Sequence, residues 1–154
     1  MLVAAHQRLH RAFLDLWEEA LVAMTELDFG RARHFWYLFS ANIDAHRKVE
    51  ESFVPDWPEE PAPRGGSQEL VLAEHARLDL LITEALAHID HLETFAEDFR
   101  RKALVRNLDP FLRVRHLIEH HAEREDRLIY PRLELALSND QLSLMVSRLE
   151  GASK

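Results

Sequence analysis

The chain contains no cysteine. Disulfides, thiolate metal ligands and thiol nucleophiles are therefore excluded, and the reading that fits is a protein of the reducing cytoplasm. Cationic charge is also short, with 19 Lys and Arg against 27 Asp and Glu and a net charge of -8 at pH 7. Counterion release from a polyanion needs clustered cations, so neither nucleic acid nor an anionic membrane is an expected partner. No apolar run approaches the roughly 20 residues that cross a bilayer. The opening "MLVAAHQRLHRAF" lacks the basic start, apolar core and cleavage site of a secretory signal. Glycine is reduced to four residues, and four of the six prolines fall in "PDWPEEPAP", residues 55–63. So few breakers leave long stretches free to be uninterrupted helix.

What remains is the pattern of an ordered globular chain. At 154 residues it has length for one domain, 1–154, with a substantial core. Leu2, His6, Leu9, Phe13, Leu16, Ala20, Ala23 and Leu27 recur at steps of three and four, the period of one helix face. After Gly30 a second stripe runs through Phe35, Phe39, Asn42, His46, Val49, Glu50 and Phe53. Ser67 is a candidate cap for a third helix carrying His75, Leu78, Ile82, Ala85, Ile89 and Leu92. Asp109 as a cap, with Pro110 at the first helical position, starts a fourth whose stripe is Val114, Leu117, His121, Glu125 and Leu128. Ser138 and Gln141 form a capping box for a short last helix, about 139–149. Residues 95–108 allow either a separate turn of helix or a continuation of the third. No strand pattern is present, and the expected fold is an all-α, antiparallel up-and-down four-helix bundle. Its two helical hairpins cover about 2–53 and 68–136.

Histidine is the residue in excess, with ten copies. His6, His46, His75 and His121 lie on apolar stripes of four different helices, where a polar imidazole needs a partner. Two of them have a glutamate four residues on, His46 with Glu50 and His121 with Glu125. Positions i and i+4 point the same way on a helix, so each pair offers a nitrogen and a carboxylate to one point in the interior. The pattern also repeats. "AHQRLH" at 5–10 aligns with "EHARLD" at 74–79, and "HRKVEESFVP" at 46–55 aligns with "HAEREDRLIYP" at 121–131, with one residue fewer in the first. Two hairpins packed about a pseudo-twofold axis would bring four imidazoles and two carboxylates together. Such a donor set suits iron, manganese or zinc, and bridging carboxylates hold two ions roughly 3.5–4 Å apart.

These four motifs in this order resemble the hemerythrin-like, or HHE cation-binding, domains, over roughly residues 2–149. The resemblance implies a four-helix bundle holding two iron ions, oxo- or hydroxo-bridged, with zinc or manganese as alternatives. His6, His46, His75 and His121 would be terminal ligands, and Glu50 and Glu125 bridges. It further implies a protein that binds or senses dioxygen, nitric oxide or iron. The chain departs from the oxygen-carrying members in having Asp79 where they have a fifth histidine on the third helix. His10, four residues after His6, is the candidate replacement. Asp126 competes with Glu125 for the bridge, because oxygen carriers have an aspartate at that spacing.

Glu74, Asp126 and Glu51 are candidates to orient ligand imidazoles, Glu51 being the one more readily read as a solvated surface carboxylate. His34, His88 and His91 fall off the ligand faces and are expected at the surface. His116 and His120 lie about 100–140° from the face of His121 and are also expected to be bystanders. "HFWYLF", residues 34–39, reads as bundle core, with Trp36 or Tyr37 available to a partner subunit. Two other functions use the same residues. One is an enzyme reducing peroxide or nitric oxide at a di-iron centre, as in iron–sulfur repair; the other is a metal-free interaction module with core histidines. Oligomeric state is not legible.

Overall fold

The computed structural model describes residues 2–57 and 65–152. These residues form a helical bundle: α1 (Leu2–Thr25), α2 (Phe29–Ser52), α3 (Gln68–Glu93), α4 (Glu97–Arg106), α5 (Asp109–Arg124), α6 (Tyr130–Ala136) and α7 (Asn139–Ala152). A 3-10 turn, Val54–Asp56, follows α2, and a π-helical turn, Glu125–Ile129, joins α5 to α6. Of the loop expected around the proline cluster, residues 58–64 lie outside the described residues. Among the described residues no strand occurs, and no helix is long and apolar enough to cross a membrane.

Local chemistry sets the boundaries. The break between the first two helices falls at Leu27–Asp28 rather than at Gly30. Leu27 takes the left-handed conformation (φ 63°) that usually belongs to glycine, and the Asp28 N–H closes the end of α1 on the Ala23 carbonyl at 2.9 Å. The Asp28 carboxylate then accepts from the Arg31 N–H at 2.9 Å, so α2 starts at Phe29 and Gly30 lies inside it. Ser67 caps α3 by accepting from the Leu70 N–H. The capping box of α7 is formed reciprocally: the Ser138 N–H donates to Gln141 Oε1 at 3.0 Å and the Gln141 N–H to Ser138 Oγ at 3.3 Å.

Two expectations need correction, and one open alternative is resolved. Asp109 does start α5, but it is the first helical residue and makes no side-chain cap; Leu108 precedes it, and its carbonyl accepts from the Phe111 N–H. Residues 95–108 contain a separate helix, α4, because the helical path of α3 ends at Thr94. The last helix runs to Ala152, beyond the expected Leu149.

The core fills the space between helices with Phe13, Trp17, Trp36, Phe39, Phe111 and Ile118, all buried. α1 packs on α2, α3 on α5, and α2 on α3, while α7 covers α1 and α2. Trp36 is wholly enclosed and donates its indole N–H to the Ile82 carbonyl at 3.1 Å, whereas Tyr37 is exposed. The aromatic run 34–39 thus divides between core and surface. Replacing Trp36 by Ala removes a large enclosed ring and should cost about 3–5 kcal/mol of stability. Urea unfolding would measure it, and a loss below about 1 kcal/mol would mean that the ring is not packed as described.

Candidate metal centre

α1 brings His6 and His10 inward one turn apart, and α2 brings His46 and Glu50 with the same spacing. α3 supplies His75, and α5 with the π-turn supplies His121 and Glu125. All seven side chains are buried, and Glu50 and Glu125 are 0% and 1% exposed. Their ligand atoms fall into two groups, His6, His10, His46 and Glu125 in one, and Glu50, His75, His121 and Glu125 in the other. Within each group they lie within 4.8 Å of one another.

Each carboxylate reaches both groups of imidazoles. Glu50 turns Oε1 to His46 Nε2 (3.1 Å) and Oε2 to His75 Nε2 (3.3 Å). Glu125 turns Oε2 to His6 Nε2 (2.9 Å) and Oε1 to His121 Nε2 (3.2 Å). His10 Nε2 stands 3.2 Å from His46 Nε2, and His75 Nε2 stands 3.2 Å from His121 Nε2. Adjacent ligands around an octahedral ion with bonds of about 2.1 Å are about 3.0 Å apart, so these spacings are those of donors converging on cations. Glu50 Oε2 and Glu125 Oε1 are also buried without a hydrogen-bond partner. Buried polar atoms are normally satisfied, and a cation would satisfy both. The residues present therefore fit a pair of metal ions.

The outer face of the cluster is carboxylate. His6 Nδ1 donates to Asp126 at 2.8 Å, His75 Nδ1 to Glu51 at 3.0 Å, and His121 Nδ1 to Glu74 at 3.0 Å. Such contacts fix the ring and leave Nε2 as the inward donor. Asp126 consequently lies behind His6, outside both groups, while Glu125 lies between them. Glu51, read as a surface residue, is a ring-orienting one despite being partly exposed; the packing of α2 against α3 brings it beside His75. Glu74 is itself held by Arg124.

Of the remaining histidines, His34, His91, His116 and His120 are exposed. His88 is not at the surface as expected. It is half-buried, its ring 6.2 Å from that of Phe111, because α3 is covered by α5 on that side. Tyr130 was missed as a site residue. It is wholly buried, its phenol donates to Glu50 Oε1, and its ring meets that of His6 edge-on at 4.5 Å. A signal was available in the one-residue offset between the two repeats. The extra residue in the second is absorbed by the π-turn, which keeps Glu125 inward and rotates Tyr130 inward as well.

Compared with known proteins, the chain matches no family model, no curated protein and no solved structure.

Electrostatics without a metal follow from this packing. Burial pulls His6 down, but hydrogen bonds to Asp126 and Glu125 outweigh it and raise the imidazole to about 9. Burial likewise opposes His121, and Glu125 and Glu74 lift it to about 10. His10 is pushed well below 6.5 by burial and by its neighbours His6 and His46. Burial drives Glu50 and Glu125 upward, for Glu125 with the help of Glu50, yet the surrounding imidazoles hold both carboxyls below the usual range. The raised imidazoles contribute stability that is complete below pH 6.5 and is lost as pH rises through about 9 to 10. His10 acts oppositely and loses its contribution below pH 6.5, and the two glutamates lose theirs below 4.5. The metal-free protein should therefore be most stable near pH 6.5. A thermal midpoint measured in chelator that climbed steadily from pH 6.5 to 10 would contradict these assignments.

Tyr130→Phe keeps the ring and removes the hydroxyl. It should lower metal affinity by about 10–100-fold, the usual effect of losing a group that orients a ligand, with the helical content unchanged. Titration with cobalt(II) followed by absorbance would measure the change, and wild-type affinity would mean that the phenol does not position Glu50.

Proposed function

We propose that this chain is a hemerythrin-like protein: an antiparallel up-and-down four-helix bundle holding two iron ions, which binds or senses a small diatomic ligand. The observation that carries the reading is the pair of buried glutamates, Glu50 and Glu125, each with one oxygen toward either set of imidazoles. A single ion or a packed polar core would not call for two carboxylates that each span both groups. His6, His10 and His46 would hold one ion, His75 and His121 the other, and Glu50 and Glu125 would bridge. Zinc and manganese share this donor preference, so metal supply enters the choice.

When bound, a redox-active ion pair supplies reversible electron donation to dioxygen or nitric oxide at an open coordination position. The protein's own part is to keep that centre dry and at fixed charge. Five neutral imidazoles and only two carboxylates would neutralise half of the charge of two divalent ions. Carboxylate-rich centres offset more of it and stabilise the higher oxidation states needed to cleave oxygen, so the histidine-rich set favours binding over turnover. With three imidazoles on one side and two on the other, His75 and His121 would offer their ion fewer protein ligands.

Protein grown in iron-rich medium should contain about two irons per chain, measured by elemental analysis. Its visible charge-transfer bands should appear with oxygen and fade on degassing. Iron bound without reversible bands, together with steady consumption of peroxide, would replace the binding reading with the enzyme; absence of any bound metal would overturn both. Glu125→Ala should abolish the two-ion stoichiometry, while Asp126→Ala should retain it with weakened affinity. The reverse result would assign the bridge to Asp126.

A further inference from the structure

Five imidazoles face the cluster, but they are not held equally. His6, His75 and His121 each have a carboxylate on Nδ1, and each also has one beside Nε2. His46 lacks an Nδ1 partner but has Glu50 at Nε2, and the ring of Phe13 stands 5.3 Å from its own. Among the described residues, His10 alone of the five is bonded to no carboxylate. Its Nδ1 is buried without a partner, and its Nε2 faces only that of His46.

A cleft of about 470 Å³ opens between α1 and α5, and His10 lines it with Leu14, Ala122, Glu123 and Arg127. His6 lines it too but is 0% exposed, whereas His10 is 6% exposed. The cleft therefore reaches the one imidazole of the five that no carboxylate holds. A buried ring nitrogen without a partner is costly; the His10 ring is packed by the rings of His6 (4.1 Å) and Phe13 (5.2 Å), but its one hydrogen-bonding contact is at Nε2. Turning toward the cleft would give Nδ1 a water.

We propose that His10 is the exchangeable ligand of the cluster, and that the cleft between α1 and α5 is the route by which a small exogenous ligand takes its place. The inference rests on the two-ion reading above and adds to it where the ligand enters. On the ligand count alone, entry would be expected at the His75/His121 position; the cleft and the absence of a carboxylate on His10 put it on the other ion. The occupant is a small donor molecule or anion of up to a few atoms, the class that fits a single vacated imidazole position.

The test uses iron-loaded full-length protein, with azide and imidazole as probes. His10→Gly should keep two irons, bind azide at least tenfold more tightly than wild type because no side chain must be displaced, and recover wild-type azide affinity when free imidazole is added. Ala122→Leu narrows the cleft without touching a ligand and should slow azide binding at least fivefold, leaving the visible spectrum of the azide-free protein as it was. Equal azide affinity in wild type and His10→Gly, or azide rates indifferent to residue 122, would overturn the proposal and return entry to the His75/His121 position. Loss of iron from His10→Gly that free imidazole does not restore would also overturn it, since His10 would then be a fixed ligand. Wild-type protein that takes up fewer than two irons would instead overturn the two-ion reading itself, a separate result visible before azide is added.

Discussion

Two glutamates removed from water impose the main constraint on this molecule. A buried carboxylate is costly to keep ionised unless opposite charge or hydrogen bonds surround it. Glu50 and Glu125 meet that demand with imidazoles from four helices and a phenol from α6. The helices cannot slide independently, because each supplies a group that another helix's carboxylate requires. Protons carried by His6 and His121 supply the compensating charge in the metal-free state, and cations would supply it otherwise. The cluster is thus a charge-balancing device as well as a candidate binding site.

Much of this was legible in the sequence because helical periodicity converts directly into facing direction. His46 and Glu50, or His121 and Glu125, can be assigned to one face from their spacing alone, and all of them are buried. The stripe of α3 was likewise read correctly from His75 to Leu92. Whether these faces hold iron is a separate matter that periodicity does not address.

What was not legible depends on departures from ideal helix or on contacts between helices. Leu128 was placed on the ligand stripe by counting, but the π-turn intervenes, so Leu128 is half-buried and Ile129 and Tyr130 face inward. Gly30 looked like a break because glycine usually supplies positive φ, yet Leu27 carries it, held by the Asp28 N–H on Ala23. Glu51 reads as surface on its own helix and becomes a partner of His75 only once α3 is alongside. Each miss involves a fact that a single helix does not contain.

The position of α7 has a consequence for the order in which the centre can be assembled. α7 packs on α1 and α2, and Arg8 on the first turns of the chain pairs with Glu150 near its end. Leu2 likewise donates its backbone N–H to Glu134. During synthesis, which adds roughly 5–20 residues each second, α1 and α2 emerge before α7 and lack that covering helix until it has been made. His6, His10, His46 and Glu50 therefore wait, incompletely packed, for a segment made later. The His6 ring cannot meet Glu125 and Asp126 until the π-turn that carries them has also been made.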